Sequence, residues 1–420
     1  MNSSIYENRR FRLMDDVKGP AIACIFSGKA PMRSADETYS FSVDRSFYYL
    51  TGIDRENMVL VLQKDHNGMV RESIYIEPYD ELLAKWVGGR MKEAEVTAVS
   101  GIRTVDSLEN LPALVGNFME LYRGMGRVRV YLDLWRYEQD QTDTQAHRFA
   151  AWIQKKYPAV KINELYGTLA AMRSVKSKEE LEKIETAIDM TKNAIVATLQ
   201  YAEPGMNETE IEGAFDFSLM RQGCREHAFP TICAAGKRAT TLHYCDNNCV
   251  AEDGQLIQLD LGAACDHYCA DISRAFPVNG TFTDRQKEIY NTVLEAQRIV
   301  IEKAMPGMTM SDLNKLVMDY YETRLDDLRL RKNGRGVRDY YYHSVTHSLG
   351  LDCHDVCTLR ERTLKAGMVI TDEPGLYIEE EGIGIRIEDD ILITDQGAVV
   401  LSKDIPKTVE EIEAIMAAAK

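Results

Sequence analysis

Leu256-Ile257-Gln258-Leu259-Asp260-Leu261-Gly262, followed by Tyr268-Cys269-Ala270-Asp271-Ile272-Ser273-Arg274, is the stretch that decides how this chain folds. Successive side chains of an extended strand face opposite ways. Ile257, Leu259 and Leu261 therefore share one face, and Gln258 and Asp260 the other. A turn around Asp266-His267 would bring the second segment back beside the first, with Asp260 and Asp271 on one side of a hairpin. Neighbouring carboxylates repel unless a cation lies between them. The pair thus reads either as the start of a metal site or as two surface acids.

Further donors lie C-terminal to this hairpin. The run His343-Ser344-Val345-Thr346-His347-Ser348-Leu349-Gly350-Leu351-Asp352-Cys353-His354-Asp355 holds three of the chain's eight histidines. One imidazole can be a ligand while the others hydrogen-bond to substrate. Glu373 lies in Val369-Ile370-Thr371-Asp372-Glu373-Pro374-Gly375, and Glu388 in Ile385-Arg386-Ile387-Glu388-Asp389-Asp390. A carboxylate in an apolar β-segment is costly unless paired or metal-bound. Pro374-Gly375 would bend the chain and aim Glu373, whereas Asp372, one residue earlier on a strand, would point away. Four carboxylates and one imidazole make a hard, oxygen-rich set that suits Mn²⁺ first, then Fe²⁺, Co²⁺ or Zn²⁺. Bridging carboxylates would hold two such ions about 3.5–4 Å apart.

The rest of the chain frames this constellation. Residues 1–170 alternate strand-like and helix-like segments, among them Ala21–Phe26, Met58–Leu62 with the turn His66-Asn67-Gly68, Val128–Leu132, and helices near 108–122 and 142–157. This predicts an α/β domain with a mostly parallel sheet. Residues 171–420 open with capping-box helices, Ser177 with Glu180 and Asn207 with Glu210. Helices follow near 283–304 and 311–329, strands at 256–263, 270–277, 367–373 and 384–394, and a last helix capped by Thr408 with Glu411. That order predicts an α+β domain.

With 420 residues the chain is long enough for two or three domains. Its net charge of -16 argues against nucleic-acid binding and against docking on anionic lipid. Neither a secretory signal nor a membrane-spanning run is expected. Nine scattered cysteines, including Cys353 and Cys357, read as reduced thiols of a cytoplasmic protein.

Asp260, Asp271, His347, Glu373 and Glu388, in this order and with the flanks quoted, resemble the catalytic domain of the "pita-bread" metallopeptidases, the family of creatinase, prolidase, methionine aminopeptidase and aminopeptidase P. Arg33-Ser34-Ala35-Asp36 and Phe47-Tyr48-Tyr49-Leu50-Thr51-Gly52 are similar to the N-terminal domain of the aminopeptidase P branch. The resemblance implies an exopeptidase that hydrolyses the N-terminal Xaa-Pro bond with a hydroxide activated by two divalent ions, Mn²⁺ foremost. It implies that Glu373, His354 and His243 are catalytic and that His343, Tyr377, Arg386 and Trp86 bind substrate. It further implies proline-containing peptides as partners and a homodimer or homotetramer. An Xaa-Pro dipeptidase, reading the substrate carboxylate through Arg360 or Arg386, is the near alternative. A non-catalytic binding module of the same fold is the distant one.

Overall fold

In the computed structural model, which describes residues 1–125, 128–332 and 334–419, the backbone separates into two units, Met1–Met172 and Arg173–Lys420. The first is built on a six-stranded sheet in the order Val105–Ser107, Val70–Ile76, Val59–Lys64, Ala21–Phe26, Arg129–Leu132, Lys161–Glu164. The sheet is mostly parallel, as expected, with one strand reversed. Val59–Lys64 runs antiparallel to both Val70–Ile76 and Ala21–Phe26, while the outer pairings are parallel. The cause is local. Asp65 Oδ1 accepts from Asn67 N and Met69 N at 2.8 and 2.9 Å, and Gly68 takes φ 87°. Such a tight turn can only reverse the chain, because a parallel return needs a long crossover.

Helix Leu111–Leu121 lays Leu111, Val115 and Phe118 on one stripe against Ile22, Cys24, Val61 and Val130 of the sheet. Helix Gln145–Lys156 adds Ile153 to the same core. Helix Ser3–Asp15 buries Arg10, whose guanidinium grips Glu72 at 2.7 and 3.2 Å and donates to Leu50 O at 2.9 Å.

In the second unit the predicted caps form. Ser177 N donates to Glu180 Oε2 at 2.9 Å ahead of helix Lys178–Tyr201, Asn207 N to Glu210 Oε2 at 2.8 Å ahead of Glu208–Arg221, and Thr408 N to Glu411 Oε2 at 3.0 Å ahead of Val409–Ala418. Helix Met310–Arg324 ends short of the expected 329. Leu330 N turns back to Leu325 O at 2.8 Å and Arg329 takes a left-handed φ of 59°. No described helix is long and apolar enough to cross a membrane.

Three antiparallel sheets matter for function. Ile272–Pro277, Leu256–Leu261 and Ile232–Ala235 form one, and Val369–Asp372, Asp389–Thr394 and Gly397–Val400 a second. Gly375–Ile378 and Ile383–Arg386 form the third. The expected strand 384–394 is therefore two strands in different sheets. Ile387 N donates to Pro374 O at 3.3 Å and Glu388 N to Ser273 O at 3.1 Å, so the chain changes partners at those two residues.

Gly262 sits where a Cβ would lie 1.8 Å from Ala270 O. Gly262→Ala is expected to cost about 1–3 kcal/mol or more, because the conflict is with backbone that cannot rotate away. A lower denaturation midpoint checks it.

Candidate metal centre

Asp260 pairs in register with Ser273. Asp271 precedes Ser273 by two residues, so all three side chains leave the hairpin on one face. The hairpin closes through Asp266 and His267, both left-handed at φ 48° and 67°, with Cys265 paired to Tyr268. That is the two-residue turn whose twist matches antiparallel strands.

His347 and Glu373 are set by one another's backbone. Leu349 N donates to Val369 O, and Thr371 N to His347 O, both at 3.1 Å. Glu373 N reaches Val345 O at 2.9 Å, and His347 N reaches Thr371 Oγ1 at 3.1 Å. Glu388 sits in the break between the two strands, its carboxylate taking the Ser273 hydroxyl at 2.8 Å.

These placements bring three of the sequence-predicted acids, Asp271, Glu373 and Glu388, together around His347. Its Nε2 lies 3.3 Å from Asp271 Oδ2 and 3.6 Å from Glu373 Oε1. Donor atoms of Asp271, His347 and Glu388 all fall within 4.8 Å of one another. Arg386, buried, spans the floor: Nη2 to Asp260 Oδ2 at 2.5 Å, Nε to Ser273 Oγ at 2.9 Å and Nη1 to Tyr377 OH at 2.9 Å.

His343 Nδ1 donates to Ser344 O at 2.8 Å, so its Nε2 accepts from Tyr377 OH at 2.9 Å. Burial and then the Arg386 charge push His343 down to about 3, and it is neutral at physiological pH. The exposed His354 packs edge-on against His347, ring centres 4.4 Å apart. His243, also exposed, acts electrostatically on both His343 and His354. Trp86 belongs to the first unit, on helix Glu81–Val87, and is 79% exposed.

The donors fit divalent cations. Asp260 Oδ1 is buried and makes no hydrogen bond. Burial raises Asp260 despite Arg386, and pushes Glu373 up to about 7 against the charges of His347 and Arg386. Glu388 is driven well above the carboxylate range by burial, then by Asp271, Glu373 and Asp260. Burial would lower His347, yet its hydrogen bond to Asp271 and the charges of Glu373 and Asp271 hold it up at about 9. Without a cation the acids and His347 thus compete for protons. His347 Nδ1 donates to Ser348 O at 3.1 Å, which leaves the Nε2 lone pair for an ion on the carboxylate side.

Several contributors escaped the sequence reading. Ser273 could have been found by the same alternation that paired Asp260 with Asp271. Cys353, 2.9 Å from Asp271 Oδ2, was read among the reduced thiols with no link to the acids. Asp372 does point away from the cluster, but into the protein: neither of its oxygens has a hydrogen-bond partner, and burial with the Asp389 charge holds it protonated.

Fold and donor set together define a metal-dependent hydrolase. The model of metallopeptidase family M24 matches residues 182–395, and that of the aminopeptidase P N-terminal domain matches residues 6–125. The chain belongs to metallopeptidase family M24. It is 32% identical to an Xaa-Pro aminopeptidase of Haemophilus influenzae, over 98% of this chain and 96% of that one. Against human Xaa-Pro aminopeptidase 3 it is 30% identical, over 99% and 86%. Among solved structures, a Bacillus anthracis protein provisionally assigned as an aminopeptidase P superposes with TM-score 0.96 at 43% identity, covering 100% of this chain and 99% of that one. Escherichia coli aminopeptidase P superposes with TM-score 0.90 at 30% identity, with the same coverage. The pita-bread catalytic domain preceded by an aminopeptidase P-type domain is the architecture of these neighbours.

Proposed function

We propose that this protein removes the N-terminal residue from peptides whose second residue is proline. Two divalent ions, Mn²⁺ foremost, would be held by Asp260, Asp271, His347, Glu373 and Glu388. The observation that carries the reading is the convergence of Asp271, Glu373 and Glu388 on His347, beside an Asp260 of which one buried oxygen lacks any partner. When bound, the ions supply an activated water and a Lewis acid for the scissile carbonyl.

The protein's own residues do the rest. Glu373 takes the proton released by the water and returns it to the proline nitrogen. That nitrogen carries no hydrogen, so a peptidase that binds an amide N–H gains nothing there. His354 and His243 stand on the open side and donate to the developing oxyanion. Neutral His343 and Tyr377 border the proline ring. Arg386 positions Asp260, Tyr377 and Ser273 at once. So engaged, it is not free to clamp a substrate carboxylate, which leaves the exposed Arg360 to do so in the dipeptidase reading.

A cytoplasmic site fits nine unpaired thiols. Assembly as a homodimer or homotetramer would cover Leu82, Trp86 and Val87, which are all exposed on one short helix.

Stripped of metal and resupplied with Mn²⁺, the protein is expected to release Arg from Arg-Pro-Pro and to cleave Ala-Pro slowly. Cleavage of the dipeptide alone would make it a dipeptidase. Failure to cleave either peptide with metal bound would refute both readings.

A further inference from the structure

Cys353 meets the metal centre from a side that the oxygen-and-imidazole set leaves unused. Its thiol donates to Asp271 Oδ2 at 2.9 Å, the same oxygen that lies 3.3 Å from His347 Nε2. One carboxylate oxygen is thus flanked by a thiol and an imidazole. Cys353 Sγ and ring nitrogens of His347 and His354 also lie within 4.8 Å of one another. Ligands bound to one Zn²⁺-like ion sit about 2.0–2.3 Å from it, which places neighbouring donors roughly 3–4 Å apart. The two contacts at Asp271 have about that spacing. On the same hairpin face, Asp260 is 8% exposed and carries an oxygen with no partner, so the pocket these groups line keeps an unused donor beside Asp271. Cys353 is only half-buried and can be reached by an ion.

We propose that Cys353 is a sulfur donor to the ion held by Asp271 and His347, and that it makes this half of the centre selective for thiophilic divalent cations such as Co²⁺, Zn²⁺ and Cd²⁺ over Mn²⁺. The inference rests on the metal-centre reading above and deepens it: the two ion positions are chemically unequal. On binding, the Cys353 S–H bond breaks, its proton goes to solvent, and a sulfur–metal bond forms with no change of oxidation state. Thiolate prefers soft cations, whereas the carboxylates around Asp260 have no such preference.

The full chain, stripped of metal, is titrated with Co²⁺ and followed by absorption. The expected result is a near-ultraviolet sulfur-to-cobalt charge-transfer band that is lost in Cys353→Val and Cys353→Ser, while Co²⁺ still binds. In competition between Cd²⁺ and Mn²⁺, read as bound metal after desalting, Cys353→Val is expected to lower the preference for Cd²⁺ about 10–100-fold, the usual effect of altering a group beside a metal. A second measurement needs no variant: Cd²⁺ should protect Cys353 from alkylation, read at that residue by peptide mass spectrometry. Bound Co²⁺ without a sulfur band, a band unchanged in the variants, or alkylation of Cys353 unaffected by Cd²⁺ would overturn the inference and leave the metal centre standing. No binding of Co²⁺ at all would overturn both.

Discussion

Glu373→Gln is expected to lower kcat by about 10²–10⁴-fold, the usual contribution of a positioned proton-transfer group, with the fold intact and KM little changed. The substitution keeps the shape of the side chain and its hydrogen bond from Thr371 Oγ1, 3.3 Å away. Its backbone stays pinned to Val345 O. What disappears is the charge facing His347 Nε2 and the proton that Glu373 would carry. A structural role alone would leave turnover near normal in a folded variant, and that outcome would sink the mechanism.

The same residue has a pH signature in metal-stripped protein. Burial lifts Glu373 to about 7, above its unfolded value. A carboxyl raised on folding favours the folded state at low pH, and this contribution is lost as pH rises through the folded value. Stripped wild-type protein should therefore lose stability between the ordinary carboxyl range and about pH 7. The Gln variant should lack that part of the slope.

Asp355→Ala should unfold the catalytic unit more readily, by about 3–5 kcal/mol, since removing one partner leaves buried charges uncompensated. Asp355 receives Arg173 Nη2 at 2.6 Å and Lys176 Nζ at 3.2 Å, and all three side chains are almost wholly buried. Its backbone N–H bonds to Ser348 O at 2.9 Å, and a Cβ on Gly350 would lie 2.2 Å from its carboxylate. The acid thus locks the loop that carries Cys353 and His354. Burial opposes its ionisation, but the charges of Arg173 and Lys176 prevail and hold it below the ordinary aspartate value. A depressed carboxyl stabilises above its unfolded value and loses that contribution as pH falls through the folded one. Wild type should therefore weaken in acid from the normal Asp range downward, and the variant should lack this component. Denaturation across pH measures both. Equal midpoints at neutral pH would refute the lock.

What the sequence disclosed was whatever local chemistry decides. Asp260 and Asp271 could be placed on one face because alternation and a two-residue turn are short-range facts. The caps at Ser177, Asn207 and Thr408 were legible for the same reason. Glu388 was identified as a donor, but not the break beside it. Ile385 to Glu388 alternates and Asp389 breaks the pattern without saying where the chain goes; only the bonds to Pro374 O and Ser273 O, made across the fold, split the strand. Arg386 was expected to line the site. That it would neutralise Asp260 from beneath depends on a contact across 126 residues. Cys353 was read as one reduced thiol among nine, because a thiol's importance lies in what it touches, and Asp271 is 82 residues away.

The pairing of Asp260 with Ser273 sets a threshold on assembly. Side chains alternate with a period of two, so a hairpin misaligned by a single residue would turn Asp271 into the apolar layer and Ile272 toward the ligands. Such a chain would have no partial site to offer a cation. Correct alignment and competence to bind metal are therefore one event, and the centre reports on its own folding.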